Sequence, residues 1–363
     1  MSESSTAVAM TTTGEPEITS TKEVVISLTS TSAMTSPSQS VMEFYFSCAA
    51  IFIGALGTAA NGLIIYALVA SKQHQKNVGL LIFHQNAIDL SFFLVVIFSV
   101  KLCNIYLAGS VGYWLCTLLL SESLIWLGTC AAAINLASIT IERYLKVVYH
   151  VWSKTKLRKW MLYAAMATAW IISFMTNIVA MFPTTAVIHG RCYAYMIWDS
   201  QAASMIYFFW YMMSYVVIIT GIFIFCYWRI LAVIRRQAKV MARGQSIAAG
   251  SSHVLNRVQT NVVKTMVIVS VFHAISRLPG AVSFVLMMLR VDATVFQIFF
   301  HVNQLLPQLY MCTNPFIYMY ATKFDPVKEV LLRMIPCKKT SEQATSQTDR
   351  ARGTVDQSTE RNQ

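Results

Sequence analysis

Seven separate stretches of this chain are long and apolar enough to cross about 30 Å of hydrocarbon, which takes roughly 20 helical residues at ~1.5 Å each. They lie near 42–70, 79–102, 112–145, 160–182, 203–231, 262–289 and 294–321. A water-soluble chain would interrupt such runs with charge. Here 12% of the residues are charged, about half the usual soluble share, and 56% are apolar. Inside lipid each crossing must close its own backbone hydrogen bonds, so the runs read as α-helices. The expectation is an all-α membrane protein, a seven-transmembrane-helix bundle whose third, fifth and sixth helices continue into the cytosol as amphipathic turns.

Charge sets the expected orientation. Most of the 28 Lys and Arg flank the first, third and fifth loops or follow the seventh segment, whereas only Lys22, Lys101, Arg191 and Arg290 fall on the opposite side. Positively charged loops stay in the cytosol, so the C-terminus is predicted inside and the N-terminus outside. The net charge of +12 is then a topology signal and no sign of a nucleic-acid partner. Residues 1–41 are Ser/Thr-rich, lack the apolar run of a signal peptide and read as a disordered extracellular arm, with the first segment as an uncleaved anchor. No Asn precedes Asn61, so this arm has no N-glycosylation sequon. The transmembrane domain covers 42–322, a short amphipathic helix 323–337, and a disordered cytosolic tail 338–363. In that short helix Phe324, Val327, Val330 and Leu331 recur at helical spacing, and Lys328 and Arg333 can meet anionic lipid.

Ionisable groups inside hydrocarbon are costly and therefore functional candidates: Asp89, Glu122, Glu142, Arg143 and Arg277. Asp89 can bind a cation, pair with a basic side chain or stay protonated. Glu142-Arg143-Tyr144 ends the third segment; the two charges can neutralise each other while the bundle is shut and release Arg143 to a partner when it opens, or Arg143 can snorkel to headgroups. Asn314-Pro315-Phe316-Ile317-Tyr318 ends the last segment. Its proline removes one helical hydrogen bond and clashes with the preceding turn, a weak point that a packed, partly wet interior must re-satisfy.

Asn61, Asp89, Glu142-Arg143-Tyr144, Trp170, Pro279 and Asn314-Pro315-x-x-Tyr318, in that order across seven spans, resemble the rhodopsin-like G-protein-coupled receptors. The resemblance runs from about 42 to 337. It implies an extracellular ligand, a heterotrimeric G protein on the cytosolic side, a multi-pass place in the plasma membrane, and no catalytic site, cofactor or metal. Glu142, Arg143, Tyr144, Tyr227, Asn314, Pro315 and Tyr318 take the family's coupling and activation roles. The family's disulfide falls on Cys116 and Cys192, which face an oxidising compartment. Cys116 is 27 residues before Arg143 (143 − 116), slightly farther than usual, which suggests a shifted helix start. Residues 324–333 resemble the family's eighth helix, and Cys337 behind it is a palmitoylation candidate.

The relay between the two membrane faces departs from the family. Arg277 replaces the aromatic switch two residues before Pro279, and His273 stands where Phe is usual. The proline position of the fifth segment is Ile219, and the facing position on the third is Ala133. Ala132, Tyr310 and Met311 occupy places where small polar sodium ligands are expected. An Asp89–Arg277 pair would replace that sodium; the open alternative is an Arg277 that lines a wet cavity opposite an anionic ligand group. His273 reads as a buried, neutral, hydrogen-bonded ring. Gln259 stands where many members carry an acid, so weak closure and raised basal signalling are expected.

Ligand class is narrowed by what is missing. The amine-binding aspartate position is Ile125 and the retinal lysine position is Gln308, which argue against a monoamine receptor and a photoreceptor. Aromatics near the mouth, among them Trp126, Tyr207 and Trp210, suit a peptide and are also ordinary at a membrane interface. Ile141–Val148 and the seventh segment's end resemble invertebrate orphan receptors near the somatostatin, galanin and allatostatin group, so a neuropeptide is the first expectation. The alternatives are a non-amine small-molecule ligand, or a binding receptor with atypical or constitutive signalling. Paired repeats of a transporter and the constellations of a membrane enzyme are not found.

Overall fold

The computed structural model describes residues 37–102, 105–193, 201–243, 267–283, 285–286 and 293–321. The first crossing is α1, Pro37–Ala70, which begins before the expected boundary near 42. A turn of 3₁₀-helix at Gln73–Gln75 leads into α2, Asn77–Leu102. The third crossing comes in pieces: α3 (Gly109–Leu115), a π-helical turn (Cys116–Leu120) and α4 (Ser123–Val148). A short helix α5, His150–Lys156, separates it from the fourth crossing α6, Lys159–Thr184.

The strands β1 (Ala186–Ile188) and β2 (Arg191–Tyr193) form an antiparallel hairpin with Val187 opposite Cys192. The fifth crossing is α7 (Gln201–Met212), a π turn (Met213–Ile218) and α8 (Ile219–Arg243). The sixth is described as α9, Val267–Ser283, and the seventh as α10, Ala293–Ala321. Five of the described helical runs are long and apolar enough to span a bilayer by themselves. The expected arm before residue 37, Gln259, the short helix 323–337, Cys337 and the tail lie outside the described residues.

The bundle is built around α4, which packs against α2, α6 and α8, while α1 packs on α2 and α10. Small residues make this possible. Gly128 and the run Ala131-Ala132-Ala133 are buried on α4, and small side chains let helix backbones approach in lipid. A Cβ on Gly57 of α1 would sit 2.2 Å from the Phe93 ring of α2, so only glycine fits that crossing.

Polarity runs opposite to that of a soluble protein. Phe44, Phe52, Trp160, Ile171 and Phe209 are exposed on the perimeter, whereas Asn61, Asp89, Asn135, Asn177 and Asn314 are buried. A perimeter of that kind is stable only against lipid.

Both non-helical interruptions are re-satisfied locally. At the third crossing, Glu122 takes a left-handed conformation with φ 61°, a strained choice for a residue with a Cβ, of order 1–2 kcal/mol. The Ser121 hydroxyl donates to Thr117 O, Ser123 Oγ donates to the same carbonyl at 2.6 Å, and Ser99 Oγ donates to Leu119 O at 3.2 Å. The long Cys116–Arg143 interval is thus absorbed by a break inside the crossing, and the helix start is not what moves. At the fifth crossing the π turn ends just before Ile219, so the local widening forms without the proline that the family uses there.

Candidate functional site

Cys116 and Cys192 are joined, with Cα atoms 5.3 Å apart. The bridge ties the hairpin to the π turn of the third crossing and closes a 76-residue separation, a constraint of about 3–5 kcal/mol in the chain-entropy account. The hairpin turn, His189-Gly190, has φ 49° and 75°, the double positive φ of a two-residue type I′ connection. Gly190 O accepts from Leu107 N at 3.0 Å, and Tyr106 lies so close that a Cβ at Gly190 would be 2.1 Å from its ring.

At the centre of the bundle, Asp89 is fully buried and accepts from Gln85 Nε2 at 3.1 Å and from Asn314 Nδ2 at 3.4 Å. Gln85 is held in turn: its Oε1 accepts from Asn135 Nδ2 at 2.8 Å, and the same amide nitrogen reaches Leu81 O at 3.2 Å. Asn135 Oδ1 lies 2.9 Å from His84 Nδ1, and His84 Nε2 accepts from the Trp170 indole N–H at 2.9 Å. An indole nitrogen can only donate, so His84 carries its proton on Nδ1 and gives it to Asn135. Every donor in the chain Trp170–His84–Asn135–Gln85–Asp89 therefore points the same way, toward the carboxylate. Trp170 was placed by motif; His84, Gln85 and Asn135 were not singled out by sequence reasoning. The i,i+4 spacing of Gln85 and Asp89 was the available signal.

Pro315 lacks the N–H that would bond Met311 O, and Asn61 Nδ2 donates to that carbonyl at 3.5 Å as well as to Gly57 O at 2.9 Å. The proline's break in α10 is thus held from α1, a reason for an asparagine in the middle of an apolar helix. The Tyr318 side chain lies outside the described residues.

The expected Asp89–Arg277 pair does not form. Among the described residues both ion pairs belong to Glu142, and the Asp89 carboxylate is engaged by the two amides. Arg277, half-buried on α9, is instead near enough to act electrostatically on Cys130, Tyr211, His273 and Tyr310. Tyr310 is near enough to feel both charges.

His273 is buried as expected, but among the described residues neither ring nitrogen has the expected hydrogen-bond partner. The ring is held by aromatics, stacked on Tyr310 of α10 at 5.3 Å and edge-on to Phe223 of α8 at 5.9 Å. Pro279 lies six residues farther along α9, where its carbonyl accepts from Ser283 Oγ at 2.9 Å.

At the end of α4 away from the disulfide, Glu142 is buried and receives Lys146 Nζ one turn later, with Arg143 Nε at 3.9 Å. Tyr144 packs its ring against Tyr149 and Phe225. One turn inward, Tyr227 Oη lies 3.1 Å from Thr140 Oγ1 and 2.9 Å from Ser270 Oγ. A single phenol thereby links α4, α8 and α9. Thr140 and Ser270 were not singled out by sequence reasoning; isolated hydroxyls within helices carry little signal of their own.

Residues 60–318, more than half of the chain, match the family model described as 7 transmembrane receptor (rhodopsin family). The chain belongs to that family: it is a multi-pass receptor of the plasma membrane. No curated protein matches the chain closely enough to serve as a relative.

Proposed function

We propose that this receptor binds an extracellular peptide and activates heterotrimeric G proteins in the cytosol, with its N-terminus outside. The observation that carries the reading is the arrangement at the end of α4. Arg143 lies against a buried Glu142 that Lys146 also neutralises, and the Tyr227 hydroxyl beside them ties α4 and α8 to α9. A guanidinium held by a neighbour that can let it go, next to a helix fastened by two hydrogen bonds, suits an output that opens to a partner. Membrane family membership and the basic loops on that side support the orientation.

A peptide is favoured by the opposite end. There the hairpin is pinned by Cys116–Cys192, and Trp126, Tyr207 and Tyr211 present amphipathic rings at one side of the interior. His273 and Arg277 at the relay favour an atypical switch as the second reading. The test is guanine-nucleotide exchange on membranes carrying the receptor, challenged with a peptide library. Arg143→Ala should abolish ligand-driven exchange while leaving peptide binding in place. Exchange unaffected by that substitution would overturn the coupling assignment.

A further inference from the structure

Glu122 has no role among the family positions, yet it is the most unusual acid in the structure. It lies inside the Gly109–Val148 span, where a carboxylate without a cationic or polar partner is expensive. Its backbone is left-handed, a conformation that glycine or asparagine would adopt at less cost. A carboxylate is nevertheless kept at the break. Gln304 Nε2 of α10 donates to its Oε1 at 2.5 Å, and the Trp126 side chain approaches the same group.

The Gln304 contact places the carboxylate between helices on the inner side of the bundle. Glu122 keeps part of its surface uncovered, while its carboxyl is set deep beside Gln304 and Trp126. Among the described residues no Lys, Arg or His forms an ion pair with it, both such pairs being at Glu142. One turn along α10 from Gln304, the buried Gln308 keeps an Oε1 acceptor with no partner. Trp126 stands edge-on to Tyr211 at 6.0 Å, an aromatic wall beside the acid. A metal ion would need several hard ligands, and no group of three acidic, His or Cys residues able to hold one occurs among the described residues.

We propose that the ligand carries a cationic group, an ammonium or guanidinium, bound by the Glu122 carboxylate between α4 and α10. The proposal rests on the receptor reading above and names the chemistry that the pocket selects. Gln304 positions the carboxylate, Gln308 offers a second acceptor, and the Trp126 and Tyr211 rings accept the cation's flanks through their π faces. Ile125, three residues on, leaves the usual amine position apolar; the charge recognition has moved to the break.

The test uses the full-length receptor purified in detergent and follows its melting temperature. The probes are pools of N-acetylated pentapeptide amides carrying one arginine or one lysine. A matched pool has citrulline, arginine's neutral isostere, at the same positions, and butylguanidine and butylamine serve as small-cation arms. The expected result is stabilisation by at least one cationic arm and none by citrulline. Glu122→Gln should raise the half-saturating concentration about 10- to 100-fold, and Gln304→Ala by a smaller factor.

Peptide pools that act where the small cations do not would place the group on a peptide, and the reverse on a small molecule; either supports the carboxylate's role. If Glu122→Gln does not fold, Glu122→Asp decides, because it should still prefer cations over citrulline. Equal stabilisation by citrulline, full affinity in Glu122→Gln, or no stabilisation by any cationic arm overturns the proposal. Because no G protein takes part, a negative melt leaves the coupling result on Arg143→Ala standing, and the converse also holds.

Discussion

Two polar clusters share the middle of this bundle, and they are held in opposite ways. Around Asp89, a directed chain of hydrogen bonds from Trp170 through His84, Asn135 and Gln85 ends on the carboxylate, and Asn314 closes it from α10. Around His273 no such bond forms among the described residues, and the imidazole is held between the rings of Tyr310 and Phe223. The first arrangement is satisfied in one direction, because each side chain passes its donor to the next and the last one meets the carboxylate. The second can slide at less cost, because stacked and edge-on ring pairs are favourable over a span of centroid separations, about 4.5–7 Å. The web joining α2, α4 and α6 is thus a frame, and the meeting of α8, α9 and α10 is where movement costs least.

The sharpest way to break that contrast is at Asn135. Asn135→Leu removes two donors and an acceptor and strands Gln85 and His84 in a buried site. A loss of about 3–5 kcal/mol in stability is expected, seen as a large drop in the melting temperature of purified receptor. A change no larger than that of a perimeter substitution would show that the web does not act as a frame.

Next in size is the clasp on the movable side. Ser270→Ala leaves Tyr227 bonded to Thr140 but frees α9 from it. Losing one bond worth about 1 kcal/mol changes an open-to-shut ratio roughly fivefold. Ligand-independent nucleotide exchange should rise by about that factor. Unchanged basal exchange would mean that α9 is held elsewhere.

His273→Phe tests the other half of the contrast. Two buried ring nitrogens without partners are replaced by carbon in a volume already walled by aromatics. Stability should rise by about 1 kcal/mol, since an unpaired buried polar group costs roughly 1–3 kcal/mol. Destabilisation on thermal melting would show that the imidazole has a bound partner in the membrane.

Why the spans were legible and the clusters were not follows from what each depends on. Burial in lipid is a property of a run of residues, so hydropathy alone located a crossing such as α10, expected near 294–321 and found at Ala293–Ala321. The break at Cys116–Glu122 depends on which hydroxyls can catch freed carbonyls. Ser121-Glu122-Ser123 carried that signal only weakly, through two serines astride an acid. The partners of Asp89 and Arg277 depend on how each helix is rotated about its own axis and on depth in the bundle. Neither follows from composition. Gln85, one turn from Asp89, was within reach of sequence reasoning; Asn314 was known only as part of a motif.

The smallest expected effect is the one that separates the two clusters most directly. Had Asp89 and Arg277 been paired, removing either would leave a buried charge uncompensated at about 3–5 kcal/mol, and the double substitution would recover part of it. In the structure Asp89 is held by Gln85 and Asn314, and Arg277 acts on Cys130, Tyr211, His273 and Tyr310. Tyr310, stacked on His273 and near both charges, is one place where the frame and the movable site meet. Asp89→Asn and Arg277→Gln should therefore add, with a coupling below about 0.5 kcal/mol in a double-mutant cycle on thermal stability. Asp89→Asn can still accept from Gln85 through its carbonyl oxygen, so its own cost should be modest. A coupling of 2 kcal/mol or more would mean that the two charges reach each other around Tyr310, and the separation of frame from switch would fail at that residue.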